Sequence, residues 1–338
     1  MNSDCRIVLF RSIRHQFFVP KNLSCGTPTI RAENITAYLP RMSQLRKFYI
    51  VWLWPILVSN AFGTTLQGRG NSLSVIIVGG SSGMGKAAAL EVLKAKGKVL
   101  LISRSNEKLE DAKESLRAKL LEDFAEDDPS ESFDSIQTLV CDITDETAVQ
   151  TVARKIEPQR FDGLVVTAAG KAAHGPVLSL PTKDTRDMLE SKLWGAYYCA
   201  KHLSPLLLDG GSVVFCAGIL NRRPGLNCAP LAMANGALEG LTRTLALEWG
   251  PRLRVNCLSP GFCDTERFDH METSHKQAMM DNTAASLPLR KVGQPTDMGR
   301  AIFYLLTARF CTGVILDVDG GHGIRQYAQS TNDPMRKT

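Results

Sequence analysis

Short apolar runs alternate with stretches of helical period along most of the chain. The run at 73–77 is followed by a glycine-rich turn and a helix-like stretch at 87–94. KVLLI at 98–102 precedes a long charged stretch of helical character at about 107–122. Further strands are read at 136–141, 164–166 and 212–218, and further helices at 185–207 and 229–249. Runs of this length, apolar throughout, suit strands buried on both faces. The pattern predicts an α/β domain: a single doubly wound parallel sheet with helices on both faces.

The first turn carries candidate chemistry. It reads Val78-Gly79-Gly80-Ser81-Ser82-Gly83-Met84-Gly85-Lys86. Gly79 permits a sharp turn, Gly83 lets backbone approach a pyrophosphate, and Gly85 lets the helix pack close to its strand. The helix N-terminus then faces the anion. Flexible loops also collect Gly and Ser, but a place between strand and helix favours a dinucleotide cradle. Gly79, Ser81, Ser82, Gly83, Met84 and Gly85 are the expected contacts.

The residue after the second strand faces the adenosine ribose in such a cradle. An Asp there would accept from the ribose hydroxyls and repel a 2′-phosphate. This chain has Ser103 and then Arg104. A guanidinium can pair with a 2′-phosphate, so NADP(H) is the expected cofactor. The alternative is that Arg104 is a solvated helix-entry residue.

Charge separates the first 70 residues from the rest. The net charge of the 338-residue chain is +6. Residues 1–70 hold nine Lys or Arg and two acids, Asp4 and Glu33, a balance of +7. The remainder is therefore near −1, and a nucleic-acid surface has no support. A basic, acid-poor leader is the signature of a targeting segment. After Met42 and a basic stretch comes an apolar run at 48–58, interrupted by Pro55, then Ser59-Asn60-Ala61-Phe62. That run suits a signal-like segment better than a membrane span of roughly 20 residues. The Ala61-Phe62 junction resembles the cleavage site of signal peptides leading into plastids bounded by extra membranes. A mitochondrial or plastid transit peptide and a short membrane anchor are the other readings. An organelle is the expected location; the cytoplasm and an association with the endoplasmic reticulum stay open. The expected organisation is a leader at 1–70, a dinucleotide-binding domain at 71–325 and a tail at 326–338. An acidic, proline-containing stretch at 123–131 reads as a solvated loop. Nine cysteines and six histidines make no metal or redox spacing, so free thiols and no metal are expected.

Five motifs in order resemble the short-chain dehydrogenase/reductase family, over about 73–323. The glycine-rich turn matches Thr-Gly-x-x-x-Gly-x-Gly with Val78 for Thr. Asp142 matches the acidic residue beside the adenine. Thr167-Ala168-Ala169-Gly170 matches Asn-Asn-Ala-Gly with both Asn replaced. Arg254 to Gly261 matches the strand and Pro-Gly turn beside the nicotinamide, with Thr265 where the family often contacts the carboxamide. Thr312-Gly313 and 317–321 match the last strand and its exit. The resemblance implies a Rossmann-type fold and cofactor contacts from Asp142, Ala168, Ala169, Gly170, Pro260, Gly261 and Thr265. It also implies a small-molecule substrate and a homodimer or homotetramer paired through the helices at 185–207 and 229–249.

The catalytic positions depart from the family. Its set is Asn, Ser, Tyr and Lys, in which Tyr exchanges the proton and Lys lowers the Tyr pKa and holds the ribose. Aligning Ala-Leu-Glu-Gly at 237–240 puts Leu231 at the Tyr position and Asn235 at the Lys position. Ala217 or Gly218 stands for Ser, and Lys192 for Asn. A Tyr-x-x-x-Lys string does occur at Tyr197 and Lys201, but before the 212–218 strand, the wrong order for the family. Lys192 is the best substitute donor, because a desolvated lysine can have its pKa lowered toward neutrality. It could equally be a structural cation. Asn235 could hold the ribose hydroxyls, and His174 is a weaker donor candidate. Two functions follow: an NADP(H)-dependent oxidoreductase of a carbonyl or alcohol with a non-standard donor, or an inactive NADP(H)-binding protein with a regulatory or scaffold role. A lid is expected at 262–289, where Phe268, Met271, Met279 and Met280 offer apolar contact but equally suit core packing.

Overall fold

The computed structural model describes residues 72–123 and 135–324. The expected leader at 1–70, nearly all of the acidic loop and the tail at 326–338 lie outside the described residues.

The first half runs β1 (Ser74–Val78), α1 (Gly83–Lys94), β2 (Lys98–Ser103), α2 (Asn106–Asp123), β3 (Ile136–Val140), α3 (Glu146–Ile156) and β4 (Phe161–Val166). The second half runs α4 (Thr182–Leu189), a π-helical turn (Glu190–Trp194), α5 (Gly195–Leu203), β5 (Leu207–Cys216) and α6 (Ala229–Trp249). It ends with β6 (Leu253–Pro260), α7 (Thr273–Ser286), α8 (Pro295–Thr307) and β7 (Ile315–Val318). The seven strands form one parallel sheet in the order β3-β2-β1-β4-β5-β6-β7.

The alternation of side chains along a strand divides the apolar residues between two cores. In β1, Val75 and Ile77 join Val92 of α1, Leu109 and Leu116 of α2 and Ile302 of α8 on one face. Ile76 and Val78 join Val149 of α3, Leu203 of α5 and Leu238 of α6 on the other. Each such burial contributes about 1.5–3 kcal/mol relative to exposure, so both faces must be covered. The inner stretches of β1, β2 and β4 are apolar because neither face meets water there, whereas the edge strands β3 and β7 are partly exposed and carry polar residues.

β1 to β3 are laid outward on one side, and β4 returns to pair with β1 on the other. This reversal opens a crevice at the carboxyl ends of β1 and β4, the place where ligands bind in such sheets.

Several element boundaries differ from the sequence expectation. The helix expected at 185–207 is two helices joined by the π-helical turn, and it closes in a 3₁₀ turn at Ser204–Leu206. Pro205 has no N–H to continue α5. β5 starts at Leu207, five residues before 212, because Gly210 at φ +83° lets the strand bend and its register shift against β4. α1 starts at Gly83 rather than 87, so the glycine-rich turn supplies the first helical turn.

Candidate functional site

The cradle is held by close backbone approaches that only glycine allows. Gly79 sits at φ +86°, and a Cβ there would lie 2.6 Å from the Ala168 nitrogen. A Cβ on Gly85 would lie 2.2 Å from the Gly79 oxygen. The start of α1 is thereby pressed onto the turn that follows β1. Ser81 Oγ donates to Ser103 Oγ at 2.9 Å, which ties the loop to the end of β2. Ser82 precedes α1 in extended conformation with no side-chain cap. That helix end keeps its amides for another acceptor. Gly83, at φ +50°, donates its N–H to an anion already present in the chain, the Glu266 carboxylate, at 2.8 Å. The seat therefore fits an anionic group, as a dinucleotide pyrophosphate requires.

The end expected to meet the adenosine is assembled from β2 and β3. Cys141 N donates to Ser103 O at 2.9 Å, which brings Asp142 beside the Ser103–Arg104 step. Asp142 Oδ1 accepts from Thr144 N at 3.0 Å and Thr144 Oγ1 at 2.9 Å. Arg104 is exposed.

The end expected to meet the nicotinamide is built by the loops after β4 and β6. Thr167 N and Ala168 N both donate to Val78 O, at 2.9 and 3.2 Å, and Thr167 Oγ1 adds a third bond at 3.2 Å. A threonine thus satisfies the loop where the family pattern has Asn. Gly170 N donates to Ser191 Oγ at 3.0 Å, and Ser191 Oγ donates to Met188 O at 3.0 Å. This couples the Ala168-Ala169-Gly170 loop to the π-helical turn that carries Lys192. Pro260 ends β6, and Gly261 N donates to Val318 O at 3.0 Å. Thr265 lies over Gly83: a Cβ on that glycine would meet Thr265 Cγ2 at 3.4 Å.

Lys192 projects from the π-helical turn to the end of β5. Its Nζ donates to Ala217 O at 3.0 Å and reaches Cys216 O at 3.5 Å. Burial pulls its pKa down; the Cys216 thiol opposes this and the positive charge of Arg267 adds to it. Arg267 belongs to a 3₁₀ turn, Glu266–Phe268, and its Nη2 donates to Gly170 O at 3.3 Å. Asn235 is 2 % exposed, and its Oδ1 has no hydrogen-bond partner among the described residues. Its amide lies against Gly218, whose added Cβ would be 2.9 Å from Nδ2. Leu231 packs with Ala173, Met188 and Ala234 and supplies no acid.

The other candidates lie elsewhere. Lys201 pairs with Glu146 of α3 at 2.8 Å, so the Tyr197–Lys201 string faces away from the crevice. His174 Nδ1 lies 3.6 Å from Cys228 Sγ, joining two loops. The segment expected as a lid folds as the 3₁₀ turn and α7; Phe262 stacks on Phe268 at 5.3 Å, and Met280 is buried. Cys141, Cys199, Cys216, Cys257 and Cys263 are buried free thiols, and burial pushes Cys257 up to about 12.

Four contributors escaped sequence reasoning: Ser191, Arg222, Glu266 and Arg267. Arg222 Nε donates to buried Glu239 at 3.0 Å, while its terminal nitrogens reach Asp317 at 2.7 Å and Ser259 Oγ at 2.8 Å. This network pins the segment after β5 to α6, β6 and β7. No local motif marks these residues, because the contacts that bring them to the site reach partners from 17 to 183 positions away.

Residues 78–323 match the profile of a family described as Enoyl-(Acyl carrier protein) reductase. The chain is 28% identical to the short-chain dehydrogenase/reductase ucsE of Acremonium sp, over 73% of this chain and 94% of that protein. It is 26% identical to the 3-oxoacyl-[acyl-carrier-protein] reductase of Mus musculus, over 72% and 95% of the two chains. Among solved structures it is similar to a small-chain dehydrogenase in complex with NADPH, with 28% identity, a TM-score of 0.59, and coverage of 75% of this chain and 99% of that one. The profile spans most of the chain, and the sheet order and crevice agree with it: the chain belongs to the short-chain dehydrogenase/reductase family.

Proposed function

We propose that the protein is an NADP(H)-dependent oxidoreductase of a carbonyl or alcohol substrate, with Lys192 as proton donor. The observation that carries this reading is the desolvated ammonium of Lys192, held by Ala217 O at the end of β5 where the family has Ser. The similarity to a dehydrogenase in complex with NADPH supports the cofactor, as do Arg104 and the absence of an acid at Ser103.

NADPH, when bound, supplies the hydride. Gly79, Ser81, Ser82, Gly83, Met84 and Gly85 would hold its pyrophosphate. Ser103, Arg104 and Asp142 would meet its adenosine end. Ala168, Ala169, Gly170, Pro260, Gly261 and Thr265 would frame the nicotinamide. Lys192 carries three donor hydrogens, and its two carbonyl partners leave one to pass to a developing substrate oxyanion. A lowered pKa makes that transfer easier near neutral pH. Asn235 Oδ1 is an acceptor suited to a ribose hydroxyl. Leu231 packs on Met188 beside Asn235 on α6.

The inactive NADP(H)-binding reading is favoured by one observation: the same two carbonyls that orient Lys192 also suffice to explain it as a structural cation. Consumption of NADPH with a panel of aldehydes and ketones separates the two. Turnover that is lost in Lys192→Met, with NADPH affinity kept within a few-fold, is the expected result. Turnover surviving that change eliminates Lys192 as donor. No turnover until Leu231→Tyr and Asn235→Lys are combined would establish the inactive reading.

A further inference from the structure

The turn that follows Thr265 closes over the cofactor trough. Glu266 faces one wall and Arg267 the other. Glu266 Oε2 accepts from Gly83 N at 2.8 Å, and Oε1 pairs with Lys86 Nζ at 3.1 Å. Arg267 holds Gly170 O, and Phe268 anchors the turn by stacking on Phe262. The Gly83 amide is the first of α1 and belongs to the seat where a pyrophosphate would lie.

From this geometry we infer that Glu266 is an internal competitor for the cofactor's pyrophosphate, and so sets the affinity for NADP(H). The inference rests on the proposed reading that NADP(H) lies in this cradle. A carboxylate and a phosphate cannot share one amide donor, and two anions at contact distance repel strongly in a partly desolvated crevice. Cofactor entry must therefore break the Glu266–Gly83 bond. The carboxylate has somewhere to go. A groove of about 550 Å³ borders it on the outer flank of α1, and Lys86 and Lys276 line that groove with it. Its charge is firmly held: burial raises its pKa, but backbone amides and Lys86 outweigh this and leave it below the usual glutamate range. The side chain is 41% exposed, so the exchange needs no unfolding of the core.

The test is calorimetric titration of the full chain with NADPH and, separately, with inorganic pyrophosphate. The proteins are the unmodified chain, Glu266→Gln and Glu266→Ala. Both variants should bind NADPH about 3- to 10-fold more tightly, the span of a partly solvated charge-assisted bond. Pyrophosphate affinity should rise in parallel, and amide exchange at 82–84 in the free protein should quicken. Equal or weaker NADPH binding by both variants, with ordinary binding by the unmodified chain, overturns the inference and leaves the cofactor reading standing. Tighter NADPH binding with unchanged pyrophosphate binding also overturns it, because the gain then arises away from the phosphate seat. If none of the three proteins binds NADPH, the cofactor reading falls and the inference with it.

Discussion

Lys192→Met separates the chemistry of the lysine from its cost to the fold. The change removes an ammonium and keeps most of the aliphatic stem. It deletes the bond to Ala217 O at 3.0 Å and the longer one to Cys216 O. Hydrogen bonds from a charged donor contribute about 1.5–3 kcal/mol each at best. Against this, taking an ammonium out of water carries a penalty of several kcal/mol in real proteins. The two terms nearly cancel, so a net change within about 2 kcal/mol is expected at pH 7, neutral or stabilising. The pH dependence gives the sharper signature. Burial lowers the folded-state pKa of Lys192 below the unfolded value of 10.5. Between those two values the unfolded chain binds more protons than the folded one, and stability rises with pH. Below the folded pKa the full penalty is present. Urea unfolding of both proteins across pH 7–10 should show the unmodified chain gaining on the Met variant as pH rises. A constant difference, or a gain by the Met variant, would refute the claim that Lys192 is desolvated. The same lowered pKa predicts that carbonyl reduction slows as pH climbs through it, because the donor is then neutral.

Three further predictions concern the cofactor and assembly. Arg104→Asp should reverse or abolish a preference for NADPH over NADH, measured by fluorescence titration; equal affinities in the unmodified protein would sink the 2′-phosphate assignment. Gly85→Ala places a Cβ 2.2 Å from the Gly79 oxygen, so α1 must shift by about 1 Å. It should cost about 1–3 kcal/mol in urea unfolding and abolish NADPH binding. Trp194 and Tyr197 of the π-helical turn and α5, and Met233 and Leu247 of α6, are exposed apolar side chains on the helices expected to pair between subunits. Light scattering should find a homodimer or homotetramer; a monomer at micromolar concentration would count against pairing, and Trp194→Asp should weaken it.

The alternation of apolar runs and helical periods, with Gly79, Gly83 and Gly85 at a strand-to-helix turn, was sufficient to read a doubly wound sheet and its cradle. Those signals are local. A strand buried on both faces needs an unbroken apolar run wherever it lies, and a position where any Cβ would fall 2.2 Å from a carbonyl oxygen admits only glycine. The expectation that Leu231 and Asn235 occupy the family's Tyr and Lys positions also comes from local spacing, since they stand at fixed distance from Ala237-Leu238-Glu239-Gly240. The break of the long helix into a π-helical turn was not legible, because Ser191 closes its bond on Gly170, 21 positions away. Nor was the partner of Lys192, which lies 25 positions away on the end of β5. Glu266 is the clearest case. In the sequence it is one acid in a lid, and only the return of the chain over β1 and α1 brings it to Gly83, 183 positions earlier. Propensity and periodicity act over one or two turns of chain, so they specify elements and glycine-dependent bends. Which charged group meets which amide depends on strand order and crossover, and these emerge only when both faces of the sheet are packed.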